Sequence, residues 1–502
     1  MTRYGFLIDQ DTCIGCHACT VACKAEHDVP LGVNRTWVKY IESGTFPDVS
    51  RHFAVMRCNH CENAPCVTIC PTGALFHRDN GIVDFDTASC IGCKSCMNAC
   101  PYDALYIDPA DHTAQKCNFC AHRVEVGLQP SCVVVCPTQS IVAGDLDDPS
   151  SRISRMIAAH DVVVRAPEQG TRPKLFYKGA DPAALDPTLT AIATDGMVWA
   201  ETTAGHPTMP AVGGEALART TYTTAHPAPW GWMVTAYLVT KAIAAGALLV
   251  AALYVALGHA GAQGAVGLMP AVLAGAFTAL TAALLVADLK QPRRFLFLLT
   301  RPNWSSWLVR GAVVLGVYAL VAAAWFVSGL AGSERALQVL ALPGALAAAA
   351  AAGYTAALFA QCEGRDLWQT PLLLPDLLAQ AVIAGAAAFG LADLVIAIPE
   401  PDTIRWALLG GLVAHLALVA AEVVHHRSGQ AAIAVRVMVH AGEAPRFWAG
   451  VVGAVVAVAL AIVAIAIASP VTLTAVASIV ALIAIVLYET AFVRAGQAVP
   501  LS

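Results

Sequence analysis

The fold of the N-terminal part of this 502-residue chain is decided by the stretch Cys90-Ile-Gly-Cys93-Lys-Ser-Cys96-Met-Asn-Ala-Cys100-Pro101. The same spacing and the same Cys-Ile-Gly-Cys string occur earlier, at Cys13-Ile-Gly-Cys16-His-Ala-Cys19-Thr-Val-Ala-Cys23. Two variants complete the set, at Cys58-x2-Cys61-x4-Cys66-x3-Cys70 and at Cys117-x2-Cys120-x11-Cys132-x3-Cys136. Sixteen of the seventeen cysteines therefore fall in four groups of four, and the repeated string indicates an internal duplication.

The chemistry of these cysteines follows from their spacing. A C-x2-C-x2-C-x3-C-P run is typical of thiolates that bind [4Fe–4S] clusters, whereas zinc sites use paired C-x2-C arms. Eight disulfide bridges are the alternative for a secreted protein. Met1 to Gln10 contain neither the apolar core of a secretory signal nor a twin arginine, which disfavours that alternative. The sequence predicts four [4Fe–4S] clusters that together carry single electrons.

The elements between the cysteine groups are short. Ala74 to Phe76 and Ile82 to Phe85 flank the turn signal Asn80-Gly81, which predicts a hairpin, and Ala104 to Ile107 repeats the first strand. Residues 149–160 are predicted to be a helix, and 165–177 to be extended. Residues 1–178 are thus predicted to form an α+β domain of duplicated ferredoxin-like folds. Residues 179–229, rich in Ala, Thr, Pro and Gly, are interpreted as a linker along the membrane surface.

The rest of the chain, residues 230–502, is predicted to be an all-α polytopic membrane domain. The mean hydropathy of the whole chain is +0.62 and its charged fraction is 13%, which are values typical of a membrane protein. The net charge of the whole chain, −5, gives no sign of nucleic-acid binding. Eight apolar segments can each cross the ~30 Å hydrocarbon core. They lie at about 230–257, 268–289, 307–330, 337–360, 372–398, 405–425, 448–469 and 471–493.

An even number of spans places the cysteine domain and the C-terminus on the same side. Basic residues are concentrated on that side, at Lys290, Arg293, Arg294, Arg301, Arg310, Arg365, Arg427, Arg436, Arg446 and Arg494. The opposite side has Arg335 and Arg405. The positive-inside rule therefore predicts that the cysteine domain lies on the cytoplasmic side of a bacterial inner membrane. The alternative is that some of these arginines serve a site and bias the comparison.

The cysteine domain resembles the four-cluster electron-transfer subunits of molybdopterin oxidoreductases, such as the β subunits of dimethyl sulfoxide and polysulfide reductases. The resemblance covers residues 1–178 and implies that group one pairs with group four, and group two with group three. The implied ligand sets are Cys13, Cys16, Cys19 and Cys136 for the first; Cys117, Cys120, Cys132 and Cys23 for the second; Cys58, Cys61, Cys66 and Cys100 for the third; and Cys90, Cys93, Cys96 and Cys70 for the fourth. In that family the fourth set lies nearest the membrane.

The membrane half resembles the NrfD/PsrC family of quinone-reactive subunits. Over residues 229–495 the resemblance is carried by Asp288-Leu-Lys-Gln-Pro-Arg-Arg-Phe295, Arg301-Pro-Asn-Trp-Ser-Ser-Trp-Leu-Val-Arg310-Gly311, Gly353-Tyr-Thr355, Leu367-Trp368 and Leu374-Pro375. The two halves are normally separate proteins and are fused here. The resemblance implies electron exchange between the clusters and a quinone in the bilayer.

Ionisable residues inside a span are candidates for function. The quinone-site candidates are Lys241, Asp288, Arg310, Tyr354 and Asp376, with Gln380 beside them. Two alternatives stay open, because Lys241 could extend to the membrane surface and Asp288 could simply pair with Arg310. Further expectations are that Trp230 and Trp232 are interfacial belt residues and that Asp393 and Glu489 mark a proton path or pack against polar partners. Cys362 is expected to be an inert thiol. His415, the one histidine deep in a span, is expected to be a packing residue, and for that reason no haem is expected.

Three functions fit this sequence. The first is the electron-transfer and anchor subunit of a cytoplasm-facing molybdopterin or tungstopterin dehydrogenase, which has no substrate site of its own and passes electrons to quinone. The second reverses the flow, so that the protein oxidises quinol for a reductase of the polysulfide, tetrathionate or dimethyl sulfoxide type. The third is a module of a redox-driven ion pump. In the first two, a separate catalytic subunit must supply the pterin.

Overall fold

The computed structural model describes residues 2–192, 198–199, 218–425, 428–467 and 471–502. Arg427, one of the basic residues in the charge comparison, lies outside the described residues, as does most of 193–217. The strands are β1 (Tyr4–Asp9), β2 (Thr36–Thr45), β3 (Asp48–Arg57), β4 (Leu75–His77), β5 (Val83–Phe85), β6 (Leu105–Ile107), β7 (Ala114–Lys116), β8 (Ile141–Asp145), β9 (Val162–Val163), β10 (Leu175–Lys178), β11 (Thr190–Ile192), β12 (Val198–Trp199) and β13 (Ala218–Thr223).

The helices before the membrane domain are short: α1 (Ala18–Glu26), α2 (Pro65–Ile69), α3 (Ser95–Ala99), α4 (Ala121–Val124), α5 (Ser131–Val134), α6 (Arg152–Ala159) and α7 (Pro182–Leu185). Those that follow are α8 (Trp232–Ala256), α9 (Met269–Ala287), α10 (Phe297–Thr300), α11 (Trp307–Leu330), α12 (Glu334–Ala360), α13 (Leu373–Ala392), α14 (Asp402–Val424), α15 (Gly429–His440), α16 (Ala444–Ala466) and α17 (Val471–Ala498).

The duplication in the sequence is visible as two hairpins. Strands β4 and β5 pair antiparallel around Asn80-Gly81, and β6 pairs with β7 in the same way. Gly81 has a φ of +75°, which glycine adopts without strain, and the Asn80 side chain accepts a hydrogen bond from the Ile82 amide. Each hairpin follows a Cys-Pro pair, so cysteine groups two and three are each followed by the same supersecondary unit. The predicted hairpin is confirmed.

A four-stranded sheet closes this domain. Its order is β8-β1-β10-β9, with β1 antiparallel to β8 and parallel to β10. Helix α6 covers it and begins after its cap Ser151, whose hydroxyl accepts a hydrogen bond from the Ser154 amide. The strand that pairs with the N-terminus comes from the end of the stretch predicted to be extended. The prediction of an α+β ferredoxin-like domain is confirmed.

A second sheet is not expected from the sequence. Strands β2 and β3 form a long hairpin between cysteine groups one and two, and β13 pairs antiparallel with β2. Strand β11 pairs with β13 in turn. The segment 179–229, interpreted as a linker, therefore contributes α7, β11 and β13 to the cysteine domain in its described part. The polar, threonine-rich composition of this segment does not predict strand β13, because the partner strand β2 lies about 180 residues earlier in the chain.

The membrane half is all helical, as predicted. Among the described residues, eight helices are long and apolar enough to cross a membrane: α8, the continuous run Gln263–Ala287 that contains α9, α11, α12, α13, α14, α16 and α17. They match the eight predicted spans, with ends that differ by a few residues. Helices α8 and α13 are the most buried of these, which makes them the centre of the bundle. The connecting helix α15, between α14 and α16, is absent from the prediction.

The two halves dock through the connection between α9 and α11. The backbone amides of Lys290 and Gln291 donate to the carbonyls of Gly92 and Ile91 at 3.1 Å each, which extends the cysteine loop onto the membrane domain. The Arg294 guanidinium donates to the Cys90 carbonyl at 2.9 Å. From the following loop, Asn303 donates to the carbonyl of Cys70, the last cysteine of group two, at 2.8 Å.

The C-terminal segment joins the same interface. Arg365 donates to the Val499 carbonyl at 2.9 Å and to the Asn98 side chain at 3.3 Å, and Arg165 of the cysteine domain donates to the Leu501 carbonyl at 2.6 Å. The cysteine domain and the C-terminus therefore lie on one side of the bundle, as predicted. Because Arg294 and Arg365 are bound in this interface, part of the basic excess on this side has a docking role. The cytoplasmic orientation stays a prediction.

A close approach of the two halves occurs at Gly92. This residue has a φ of +68°, and an added Cβ would lie 2.5 Å from the Cβ of Lys290. We expect Gly92→Ala to cost about 1–3 kcal/mol more than Gly127→Ala, since overpacking adds that amount to the strain of a left-handed residue. Gly127 is the matched control because its φ is +81° and nothing lies within 4 Å of its added Cβ.

The measurement is the midpoint of thermal unfolding of the detergent-solubilised protein, with iron content determined in parallel. Equal midpoints for the two alanine variants would show that the approach of Lys290 to Gly92 does not limit docking.

Candidate functional site

The third expected ligand set surrounds an enclosed cavity. Its walls include Cys58 and Cys61 from the loop before α2, Cys66 within α2, and Cys100 at the end of α3. Three of these cysteines belong to group two, and the fourth belongs to group three. Within the described residues, no three His, Cys, Asp or Glu side chains converge on a position for a single metal ion. The four cysteines instead line one common cavity, as the third expected ligand set requires.

The other cysteines meet in the same crossed fashion. Cys13 interacts electrostatically with Cys16 and Cys136, and Cys23 interacts with Cys117, Cys120 and Cys132. Cys70 of group two lies among Cys90, Cys93 and Cys96 of group three. These interactions join cysteines of different groups in the way that the four expected ligand sets require, and each expected set is a foursome of three cysteines from one group and one from another.

The loops that carry the thiols fold back over them. Gly15 and His17 in group one, and Gly92 and Lys94 in group three, all have φ between 59° and 69°. Such left-handed residues turn successive backbone N–H groups inward, forming a concavity that favours anions. The amides of Gly92 and Ala114 both donate to the Cys90 sulfur at 3.4 Å. The repeated conformation in groups one and three shows that both loops are built for negatively charged sulfur.

Burial makes these thiols poor anions by themselves. It raises the pKa of Cys93, Cys100 and Cys117 to about 12, and neighbouring thiols add to the rise in each case. Bound iron would compensate, because thiolate ligands replace their protons with metal.

Several buried polar atoms near the foursomes also lack a partner, in Arg57, Asn59, His60, Ser95 and Asn98. Cluster sulfur can accept from the donors among them, so the residues present fit four [4Fe–4S] clusters.

The foursomes form a row. Cys19 of the first interacts electrostatically with Cys132 of the second, and Cys117 of the second interacts with Cys58 of the third. Cys96 of the fourth interacts in turn with Cys66 of the third. All seventeen cysteines are described, and Cys16 alone among them is exposed. The row therefore begins at the protein surface and ends at the membrane domain.

The membrane end of the row is joined to the bundle by aromatic residues. The Trp230 indole donates to the Cys93 carbonyl at 3.3 Å and stacks on Phe359 and Trp368, with ring centroids 5.6 and 5.4 Å away. Trp230 is 6% exposed, so the expectation of an interfacial belt residue is wrong for it, whereas Trp232 is 69% exposed. The sequence does not reveal this stack because a tryptophan at the start of a span is also typical of a belt.

A polar group lies deeper in the bundle, around Lys241 of α8. The Lys241 side chain is 2% exposed, and its ammonium donates to the Ala352 carbonyl at 2.9 Å and to the Thr355 hydroxyl, and lies 4.8 Å from the centre of the Tyr354 ring. A lysine that reached the membrane surface would not have these partners, so that alternative is wrong. Tyr354 in turn packs against Gly311, where an added Cβ would lie 2.3 Å from the ring.

Asp376 of α13 is the second centre of this polar group. Its carboxylate accepts from Gln380 at 2.9 Å and bonds the His415 imidazole of α14 at 2.6 Å, with both side chains buried. His415 is thus hydrogen-bonded within the bundle, as predicted. Glu489 of α17 is 1% exposed, has one carboxylate oxygen without a hydrogen bond, and interacts electrostatically with Lys241 and Asp376. Among the described residues, the spans α8, α12, α13, α14 and α17 therefore converge on this polar group.

Asp288 and Arg310, two of the five candidates, lie elsewhere. Asp288 bonds the ammonium of Lys94, the residue after Cys93, at 2.8 Å, so the alternative pairing with Arg310 is wrong. Arg310 is exposed on the bundle surface, where it donates to the Trp304 carbonyl and lies over the Trp307 ring. Asp393 accepts from the Ile398 amide at the end of α13, which is a packing role. The structure brings together Lys241, Tyr354 and, through Glu489, Asp376.

This fold and this site define a membrane-anchored protein with an iron–sulfur domain. The cysteine domain matches two families described as 4Fe-4S dicluster domains, over residues 12–75 and 49–146. The membrane half matches the family described as Polysulphide reductase, NrfD, over residues 220–500, which is more than half of the chain. The protein belongs to the NrfD family and is a fusion of an iron–sulfur subunit with an NrfD subunit.

Relatives of the cysteine domain are subunits of reductases. The B subunit of tetrathionate reductase from Salmonella typhimurium is 44% identical over 191 residues, which cover 37% of this chain and 76% of the relative. The iron-sulfur B subunit of a putative dimethyl sulfoxide reductase from Halobacterium salinarum is 41% identical, covering 35% and 79%. The B component of polysulfide reductase from Wolinella succinogenes is 41% identical, covering 35% and 93%. The resemblance of residues 1–178 to such subunits is confirmed.

Proposed function

We propose that this protein is the electron-transfer and membrane-anchor subunit of a molybdopterin or tungstopterin oxidoreductase, and that it exchanges electrons with a quinone in the bilayer. The observations that carry the proposal are the row from the exposed Cys16 to Cys93, which Trp230 joins to the start of α8, and the buried polar group at Lys241 of that helix. The sixteen cysteines would hold four [4Fe–4S] clusters in the crossed sets, and these would supply one-electron transfer along the row.

The quinone ring requires polar groups because its reduction takes up two electrons and two protons. Lys241 would donate to a ring oxygen, and the Tyr354 ring, 4.8 Å from the ammonium, would form one wall of the site. Asp376 and Glu489 can hold the protons that the reaction exchanges. Asp288, which bonds Lys94, and the exposed Arg310 are outside this proposed quinone site.

The experiment uses the purified full-length protein with its clusters reduced by dithionite. Adding a menaquinone or ubiquinone analogue should reoxidise the clusters. The reoxidation is measured as the loss of the EPR signals of the reduced clusters. Fully reduced clusters that no quinone analogue reoxidises would refute the proposed acceptor.

The outer end of the row is the proposed docking surface for the catalytic subunit. Cys16 is exposed there, and Ile14 and Val21, in the same cysteine loop and in α1, are 57% and 65% exposed. Electrons must enter or leave at the foursome that reaches solvent, which is why the occupant is the catalytic partner rather than a second copy of this protein. An apolar rim around a redox group would exclude water from the junction.

Placing a carboxylate on this surface tests the partner. We expect Val21→Glu to weaken copurification of the catalytic subunit by more than ~10-fold, since a buried unpaired charge costs several kcal/mol and 1.4 kcal/mol is already tenfold. Val163→Glu is the matched control, because Val163 is 48% exposed in a different part of the domain. Equal copurification of both variants would move the docking surface elsewhere.

A second direction of flow has its own support. Each of the relatives described above is a subunit of a reductase, which favours quinol oxidation over the dehydrogenase reaction. The two directions are distinguished by adding a quinol analogue to the oxidised protein and measuring how far the clusters become reduced. The clusters of a quinol-oxidising subunit should become largely reduced, and those of a quinone-reducing subunit should not. The cytoplasmic side is part of the proposal and is tested by protease digestion of sealed vesicles.

A further inference from the structure

Arg57 is the last residue of β3 and precedes Cys58. Its side chain is fully buried, with 0% exposure. One guanidinium nitrogen, Nη1, donates to the Cys132 sulfur at 3.0 Å, while Nε and Nη2 have no partner. The guanidinium lies 4.6 Å from the centre of the Phe6 ring. A buried cation with unused donors requires compensation, because removing a charge from water costs several kcal/mol.

The groups that interact most strongly with the charge of Arg57 are thiols. They are Cys132 and Cys117 of the second foursome and Cys19 of the first, and Cys23 and Cys120 also respond to its charge. Arg57 thus faces two foursomes at once, at the step between them. The strongest of these interactions are with Cys132, Cys117 and Cys19, so the charge acts mainly on the first and second foursomes.

A cluster with four thiolate ligands is an anion that gains one more negative charge on reduction. A fixed positive charge and N–H donors beside it stabilise the reduced form more than the oxidised form, which raises the reduction potential. Solvent cannot screen this charge because Arg57 is fully buried.

We propose that Arg57 is a positioning residue that raises the reduction potentials of the first and second clusters together and leaves the third and fourth nearly unchanged. The proposal rests on the cluster assignment of the proposed function. Its effect is to keep electrons on the outer half of the row, next to the docking surface for the catalytic subunit.

The experiment is an EPR-monitored redox titration of the purified full-length protein and its variants. In Arg57→Met, we expect two of the cluster signals to shift to lower potential and the other two to keep theirs, at unchanged iron content. In Arg57→Lys, which keeps the charge, the shift should be much smaller. Lys39→Met is the matched control: Lys39 is also buried, in the neighbouring strand β2, but its electrostatic partners are Arg165 and Asp186, so no potential should move.

Unchanged potentials in Arg57→Met with full iron would overturn the proposal, and so would equal shifts of all four signals. Loss of iron in both Arg57→Met and Arg57→Gln would also overturn it, by assigning Arg57 to cluster retention instead. Failure of the proposed function is distinguishable, because it appears in the unmodified protein as missing [4Fe–4S] signals or as clusters that no quinone reoxidises.

Discussion

Replacing Lys241 by methionine should lower the rate of electron exchange with quinone by about 100-fold or more, while all cluster signals stay intact. Lys241 is a charged donor beside the Tyr354 ring, and removing one preorganised donor to a developing negative charge typically costs about 10²–10³ in rate. Methionine keeps the length and apolar stem of the side chain, so packing in the bundle should survive. The measurement is the rate at which a quinone analogue reoxidises the reduced clusters.

The control is Arg310→Met, another basic residue of the membrane half replaced in the same way. Its guanidinium lies on the exposed bundle surface, so the rate should remain within a factor of about two. Unchanged turnover in Lys241→Met would remove Lys241 from the quinone site, and a large loss in Arg310→Met would return Arg310 to it.

Breaking the third foursome should stop electron transfer along the row. Cys58→Ser and Cys100→Ser are expected to abolish the same EPR component, although the two cysteines lie in different sequence groups, because both line one cavity. Cys70→Ser and Cys90→Ser should affect a second component. Losing a cluster from the row leaves a gap that electrons cannot cross efficiently, so quinone-linked turnover should fall below detection in all four variants.

The control for this set is Cys362→Ser, at the seventeenth cysteine. Cys362 is fully buried near the interface but stands outside the foursomes, so its removal should leave every cluster signal in place. If Cys58→Ser and Cys90→Ser instead shared a component with their own group partners, Cys70 and Cys100 respectively, the ligand sets would be uncrossed.

The sequence predicts the features that depend on local spacing. Cysteine intervals indicate clusters, hydropathy indicates eight spans, and Asn80-Gly81 indicates a hairpin, since each signal lies within one short window. Lys241 is found in the same way, because a lysine in an apolar span is unusual wherever it points. The crossed cysteine sets come from resemblance to a family and not from spacing.

Contacts between residues that are far apart in the chain cannot be predicted from a local sequence pattern, or are predicted wrongly. Arg310, at the start of the next span α11, is the partner that the sequence offers Asp288, whereas the actual partner Lys94 lies 194 residues earlier. Trp230 has the sequence signature of a belt residue, and only its position over Cys93 gives it a different role. Arg57 does carry a signal, as a single charge after the apolar run Phe-Ala-Val-Met and before Cys58.

The interface at Gly92, Lys290 and Arg294 includes hydrogen bonds to main-chain carbonyls, which form only when the two halves are correctly placed. Carrying both halves on one polypeptide changes this requirement. The tether gives each half an effective concentration near the other of the order of millimolar, far above what two free subunits reach in a cell. The two halves are also made in equal number and cannot exchange partners. Covalent fusion thus adds to the affinity of an interface that also contains the Lys94–Asp288 ion pair and the contact of Trp230 with the fourth foursome.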